Sequence, residues 1–559
     1  MGKPLDPVDL PSEYLPSEYL PSDSEYQLSD VDPATKNATD QIQTPKTNDS
    51  TSQESLLQTI RRYPRVVGYV FGLLSVFLLT GYDTCVVGTI PSVPQFQIDY
   101  GEQFGPNKNN YIIPSLWLSL WNALPSIGQM AGGIAAGSLQ DRVGRRWPLA
   151  VGSVLSAVAV AVTCLSSLPA DVLTRRVVFL VAEIVQSFAL GMALAAAQTY
   201  ISETVPTSLR GPAMALLPAF DMIGQLLGSL VVLLWSGGTS SSAYMVSYNS
   251  MWPFSAIPLL VAVLLPESPS YLVRKGDLAR ARRSLKKLHT ARVDSNQLLE
   301  ELKETIESEK KGQGQKVSYR DCFRDENKRR TMISMFGASM PVLFGTSLLA
   351  SASYFLQTLG MDAKDSLLML VLGVALALIG NGVGVWLTSC VGRRRLILVS
   401  LSITTVVWLS MGISGCFSGI ATAWYAGACM VIVSVVCSMG AWPACFAVVG
   451  ETSSLHLRAK TQGLCVVISD LWSLVFSIVL PYLYNSDAAD LGGKLGFIYF
   501  TLGVFTVFGT WWMIPEMKGR NISQIDFMFR MGLSTRMFRG WSDEVESEDT
   551  RVLARRLRQ

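Results

Sequence analysis

From Val66 to Ile514 the apolar residues gather into about twelve blocks of some 18–28 residues, with shorter polar stretches between them. At ~1.5 Å of rise per residue, a helix of that length crosses the ~30 Å hydrocarbon layer of a bilayer. The pattern predicts helices over approximately 64–90, 112–138, 147–168, 174–201, 211–236 and 251–266. After a polar stretch at 267–330 it predicts six more, over 331–358, 366–388, 395–416, 422–449, 461–484 and 495–514. Only 16% of the 559 residues are charged, against about 25% in a soluble domain, which removes a string of soluble domains as a reading. The expected class is an all-α, multi-pass membrane protein.

Charge adds orientation. Residues 1–60 hold three Lys against eleven Asp and Glu and carry a tandem Pro-Ser-Glu-Tyr-Leu at 11–20. So polar a stretch cannot offset the entropy of folding, and a disordered acidic tail is expected. No short apolar stretch opens the chain, so no cleavable signal peptide is expected either. With that tail inside, five of the 46 Lys and Arg fall in outer connectors, nine in short inner ones and seventeen in the central connector. By the positive-inside rule both termini and the central loop are then cytoplasmic. Within that loop, Gly276–His289 sets Arg280, Arg282, Arg283, Lys286 and Lys287 around Leu278, Leu285 and Leu288. This is the pattern of a basic amphipathic helix lying under the bundle, rather than one that binds nucleic acid.

A repeat decides the architecture. Gly144-Arg145-Arg146 recurs as Gly392-Arg393-Arg394, an offset of 248. Glu203 and Arg210 recur as Glu451 and Arg458 at the same offset, and Pro266-Glu267 recurs as Pro515-Glu516. Three matches in register predict two six-helix bundles, residues 61–266 and 331–516, joined by a linker at 267–330 and followed by a tail at 517–559. Parallel repeats of this kind suit a carrier that rocks about a solute held between its halves. Nine scattered cysteines without a Cys-x-x-Cys, and two histidines (His289 and His456), give no disulfide framework and no metal spacing. No phosphate-cradling loop or catalytic triad is apparent, so neither an enzyme nor an ATP-driven pump is expected, and no cofactor.

The charged motifs carry a family resemblance. Gly137-x-x-x-Asp141-Arg142-x-Gly144-Arg145-Arg146 resembles the loop signature of the major facilitator superfamily. Pro266-Glu267-Ser268-Pro269-Ser270-Tyr271-Leu272 and Pro515-Glu516-Met517-Lys518-Gly519-Arg520 resemble motifs of its sugar porters. Gly81-Tyr82-Asp83-Thr84, Pro481-Tyr482-Leu483 with Gly493-Lys494-Leu495-Gly496-Phe497, and Glu451 with Leu457-Arg458-Ala459-Lys460-Thr461 are similar to the fungal maltose/α-glucoside permease branch. The resemblance spans about residues 60–535. It implies twelve helices in the plasma membrane and proton-coupled uptake of a sugar or sugar-like solute by alternating access. The proton gradient would be the driving force, and the solute and the bilayer the partners of a monomer.

The candidate residues follow from both readings. Asp141, Arg142, Arg145, Arg146, Glu203, Arg210, Glu267, Arg393, Glu451, Arg458 and Glu516 are expected to pair across helix ends and between halves, as a gate made in one state only. The second copy has Ser389-Cys390 where the first has Asp141-Arg142, so its pairing should be weaker. Charge inside a membrane span is rare, and Asp83, Glu183, Asp221 and Asp470 stand out for that reason. The resemblance makes Asp83 the proton carrier and expects an arginine where Glu183 stands. Two carboxylates in one low-dielectric space cannot both ionise cheaply, so the pair is expected to share a proton. The alternative turns Glu183 towards Arg175 or Arg176, or to lipid headgroups.

For the solute, Gln225, Asn381, Trp386, Trp442, Phe446 and Trp472 are the candidate contacts, polar or aromatic residues within spans. The glutamines that the family implies are missing: Pro218 and Ser339-Met340-Pro341 stand in their places. Two alternatives to sugar uptake therefore stay open. One is a less polar solute such as a secondary metabolite, with export as its direction. The other is a non-transporting sugar sensor, against which the short tail after Arg520 argues.

Overall fold

The computed structural model describes residues 60–104, 110–238, 241–289, 294–312, 319–417, 419–453, 457–518, 520 and 522–539. The tandem repeat of the acidic tail lies outside them. Six long helices precede the linker: α1 (Pro64–Thr89), α2 (Ser115–Val143), α3 (Arg146–Leu165), α4 (Val172–Thr204), α5 (Thr207–Trp235) and α6 (Met251–Leu264). Six follow it: α7 (Asp325–Leu343), α8 (Ala363–Val391), α9 (Arg393–Ser414), α10 (Ile420–Val436), α11 (Arg458–Tyr484) and α12 (Leu495–Met513). Among the described residues eleven helices are long and apolar enough to cross a membrane. The twelfth crossing, α2, is 29 residues long but carries the polar residues Ser119, Asn122, Ser126 and Gln129.

The packing repeats as the sequence does. The first half packs α1 on α5, α2 on α4 and α3 on α6; the second packs α7 on α11, α8 on α10 and α9 on α12. Across the halves, α2 lies against α11 and, six helices on, α8 lies against α5. Small residues let the backbones approach. A Cβ on Gly132 would strike the carbonyl of Phe188, and one on Gly191 that of Gln129, so α2 and α4 meet at a separation only glycine permits.

Two of the expected helices are not continuous. The predicted helix at 331–358 stops at Leu343 and restarts as Thr346–Ala350 and Ala352–Thr358. Pro341 removes a backbone donor, and Gly345, at φ +113°, takes the left-handed conformation that ends the helix. The predicted helix at 422–449 contains a π-turn at Cys437–Ala441 before Trp442–Thr452 completes it.

The linker forms Pro269–Arg274, Leu278–Leu288 and Ser295–Gly312. Asp277 caps the second of these through the Arg280 amide (3.0 Å). Its Ala281 packs with Tyr271 and Leu272, and its Leu288 packs with Val66, Leu149 and Leu265 of the first half. The helix thus packs inward through Leu285 and Leu288, while Leu278, the third expected apolar position, is exposed. Between α1 and α2 a short hairpin pairs β1 (Glu102–Phe104) with β2 (Asn110–Ile112).

Candidate functional site

Twelve crossings bring both ends of the described chain and the linker to one face. On that linker face each half closes a cluster of charges. Gly144 turns at φ +103°, and a Cβ there would strike the Glu267 carboxylate. The turn lets Arg145 donate its backbone N–H to Glu267 Oε1 (2.7 Å). The Arg145 guanidinium reaches Glu203 Oε1 through Nε (3.1 Å) and Nη2 (2.8 Å), and Nη1 donates to the Gln140 carbonyl (3.1 Å). Ser268 Oγ donates to Glu203, the Tyr271 ring lies 5.0 Å beneath the guanidinium, and Arg146 Nε donates to the Ala262 carbonyl (2.7 Å).

The second half repeats this almost atom for atom. Gly392 turns at φ +99°, Arg393 N–H donates to Glu516 Oε1 (3.1 Å) and Arg393 Nη2 meets Glu451 Oε1 at 2.8 Å. Arg393 Nη1 donates to the Thr388 carbonyl (3.4 Å) and Arg394 Nη2 to that of Trp511 (2.7 Å). The second copy is looser, though not for want of the Asp141-Arg142 pair on which that expectation rested. The Arg145 and Glu203 side chains are 6% and 14% exposed, those of Arg393 and Glu451 20% and 27%. Arg393 Nε and Glu451 Oε2 find no partner among the described residues.

One expectation is corrected. These ion pairs do not cross between the halves; each cluster ties helix ends within its own half, because the turn after α2 or α8 places the arginine over its own half's glutamates. Asp141 and Arg142 are exposed at the end of α2 and make no side-chain bond among the described residues, although Tyr271 Oη donates to the Arg142 carbonyl (2.8 Å). The side chains of Arg210 and Arg458 fall outside the described residues.

The halves are joined at the opposite face. Asp487, beyond α11, accepts from the Ser115 backbone N–H (2.8 Å) and from its hydroxyl at the first turn of α2. Asn485 Nδ2 donates to the Ile113 carbonyl (2.9 Å), and Tyr354 Oη donates to Asn485 Oδ1 (3.1 Å). Ser119 Oγ donates to the Ile478 carbonyl (2.9 Å), and Gln97 Nε2 to Gln357 Oε1 (2.9 Å). Nothing in the sequence marks this lock, because its residues stand singly and far apart.

Below the lock lies a cavity of about 230 Å³, walled by α1, α2 and α4 on one side and by the broken end of α7 and α11 on the other. Asp83 and Glu183 both line it, with Trp121, Asn122, Gln129, Phe476 and Tyr484. Asp83 is six residues from the end of α1, about 9 Å along the axis. The alternative placement of Glu183 does not occur. Arg175 donates to the carbonyls of Pro169 (2.6 Å) and Asp99 (3.3 Å), and Arg176 to the Tyr100 carbonyl (2.7 Å) and to Glu102 (2.8 Å).

The expected solute contacts lie elsewhere. Gln225 donates to Asp221 one turn back on α5 (2.9 Å), Trp442 packs edge-on to Phe344, and Trp472 sits beside Phe476. Asn381 is half-buried on α8, while Trp386 and Phe446 are 64% and 61% exposed. None of the six is in the wall of this cavity. Residue type does not reveal the face of a helix that turns inward. Asp470 is half-buried on α11 and likewise outside the wall.

Two repeated six-helix halves, locked at one face around a polar cavity, are the build of a membrane carrier. The family described as "Sugar (and other) transporter" matches residues 69–529, and the chain belongs to it, within the sugar porters of the major facilitator superfamily. The MFS transporter fmqE of Aspergillus fumigatus is 29% identical over 84% of this chain and 86% of its own length. The general alpha-glucoside permease of Saccharomyces cerevisiae is 26% identical over 92% of this chain and 83% of its own. Among solved structures, the xylose transporter XylE of E. coli, partially occluded and inward open, superposes with a TM-score of 0.65 at 20% identity, covering 82% of this chain and 100% of its own.

Proposed function

We propose that this chain is a secondary active transporter of the plasma membrane that carries a small organic solute by alternating access, coupled to protons through Asp83 and Glu183. The linker face is cytoplasmic on this reading, so the lock closes the outer side and the solute exchanges with the cytoplasm. The observation that carries the reading is the meeting of two carboxylates, one from α1 and one from α4, in the wall of the cavity between the halves. A site that takes up and releases a proton there changes charge where the halves meet, which is what links protonation to rocking.

Two solute readings have support. A sugar or sugar-like solute of the α-glucoside type fits the relatives' names and a wall that carries Ser126, Ser187, Ser347, Ser351, Ser473 and Ser477. A less polar solute fits Trp121, Phe476 and Tyr484 in the same wall, and the burial of Ser339 and Met340 where glutamines were expected. Ser339 Oγ is already spent on the Met335 carbonyl (2.8 Å). Each sugar hydroxyl desolvated without a partner costs about 1–3 kcal/mol, so glucose is expected to be a poor substrate.

Uptake of labelled maltose and glucose in a transport-null host, with and without a proton uncoupler, tests both points. Asp83→Asn is expected to abolish accumulation against a gradient while sparing downhill exchange. Accumulation by that variant overturns the coupling role, and high-affinity glucose uptake overturns the expectation for hexoses.

A further inference from the structure

The charges of the cavity do not balance. Its wall holds two carboxylates and, among the described residues, no Lys, Arg or His. Arg176 is the next cation along α4, seven residues or about 10 Å from Glu183, and it is held by the Tyr100 carbonyl and Glu102. Asp83 is 5% exposed and Glu183 2%, yet Asp83 Oδ1 and Glu183 Oε2 have no hydrogen-bond partner among the described residues.

Two further polar groups stand beside them. Gln186, one turn along α4 from Glu183, is 2% exposed and stands beside Asp83, where its amide can donate to the carboxylate. The Tyr248 hydroxyl, near both carboxylates, is buried and unbonded among the described residues. Buried polar atoms nearly always find partners, so the unbonded oxygens of Asp83 and Glu183 in the cavity wall mark a site shaped for something that brings donors. With one proton shared between the two carboxylates a single negative charge remains, which a neutral solute would hydrogen-bond but leave uncompensated in a low-dielectric space. A cationic nitrogen brings both, and its bonds to carboxylates are roughly twice as strong as neutral ones. Trp121, Phe476 and Tyr484 supply aromatic rings in the same wall, which attract a cation and accept an apolar body.

We infer that the solute bears a protonated amine, held between Asp83 and Glu183 with its apolar part against Trp121, Phe476 and Tyr484. The inference rests on the transport reading in taking this cavity as the place where the solute sits. It replaces a neutral sugar by an organic ammonium compound as the class that fits.

The test is equilibrium binding to the purified full-length protein of tryptamine, of its uncharged relative N-acetyltryptamine and of maltose, with counterflow of tryptamine in proteoliposomes as a second readout. The wild type is expected to bind tryptamine at least about tenfold tighter than N-acetyltryptamine. Glu183→Gln should cut that preference about tenfold, and Glu183→Arg should remove it. Asp83→Asn provides a second, isosteric variant with the same expectation as Glu183→Gln. Equal binding of the two indoles by the wild type, tighter binding of maltose, or no binding of either indole overturns the inference. So does a preference that survives in Glu183→Gln and Asp83→Asn alike. Tight tryptamine binding without counterflow leaves the cation site standing and overturns the transport reading instead.

Discussion

The linker face and the opposite face are held by different kinds of contact. On the linker face the arrangement occurs twice: Arg145 with Glu203 and Glu267, and Arg393 with Glu451 and Glu516, in both cases using the same backbone N–H and the same guanidinium edge. On the opposite face it occurs once. The position matching Ser115 at the repeat offset is Ala363, which has no hydroxyl to offer. Repeated contacts stay inside a half and make it a rigid body; the unrepeated contact spans the halves and must break when they rock. The duplication built the moving parts, and the lock between them arose on one side only.

The comparison sharpens first at the latches, where the effects are largest. Removing the Arg145 side chain leaves the largely covered Glu203 without its cation, while Glu267 keeps the backbone N–H, and breaking a buried pair costs about 3–5 kcal/mol. Arg393 is more exposed and more sparsely bonded, so Arg393→Ala should cost nearer ~1 kcal/mol. We expect Arg145→Ala and Glu203→Ala to reach the membrane but to melt well below wild type and turn over slowly, with Arg393→Ala and Glu451→Ala clearly milder. Thermal unfolding of the purified variants and initial transport rates check this. Equal losses in the two halves would break the asymmetry and leave only the shared turn geometry.

At the lock the expected effect is smaller. The first turn of α2 has Pro114 before it and no cap from its own chain segment; Asp487 of the other half accepts the Ser115 N–H instead. A helix cap is worth about 0.5–2 kcal/mol, and here it is present only while the halves are closed at this face. Asp487→Ala should therefore shift the closed-to-open ratio by about 1 kcal/mol, or roughly fivefold, towards opening at this face. Distances between spin labels placed across the lock report that ratio. An unchanged distribution would mean that Ser119, Asn485 and Gln357 hold the face without Asp487.

The reach of the sequence follows the same division. The helices were legible because each block of apolar residues had to fill a bilayer, and the latches because their residues recur at one offset. Whether Arg145 and Arg393 pair within or between halves was not legible, since spacing along the chain does not say which half closes over a turn. The break in α7 is written in Pro341 and Gly345, but apolar residues on both sides mask it. The lock was invisible: Ser115, Tyr354, Asn485 and Asp487 are isolated polar residues in connectors and helix ends, with no repeat and up to 372 positions between partners. Of the cavity, the two carboxylates were legible because charge within a span is conspicuous. Trp121 and Phe476 were not, because an aromatic residue facing a cavity reads no differently from one facing lipid.

The smallest expected effect concerns a second unrepeated contact, this time on the linker face. His289 ends the helix Leu278–Leu288, buried against the Tyr63 ring (5.6 Å between centroids), and its carbonyl accepts from Arg65 Nη1 (3.2 Å). The position matching it in the second half, at the offset set by Pro266-Glu267 and Pro515-Glu516, is Phe538, which cannot titrate. Burial holds the His289 imidazole below its ordinary pKa of 6.5, with Tyr63 and Arg65 as its neighbours and Nδ1 unbonded among the described residues. Below about pH 6.5 the unfolded chain therefore binds a proton that the folded chain resists, and stability falls as the pH falls through that window. The linker helix is what binding that proton would loosen, because a charged ring cannot stay packed on Tyr63 without desolvation cost. Lowering the pH from about 7.5 to about 5.5 should lower the melting temperature more in wild type than in His289→Gln, whose side chain stays neutral throughout. Parallel pH profiles for the two proteins would show that the linker is fixed to the first half by Leu288 and Arg65 alone, and that the second unrepeated contact carries no pH response.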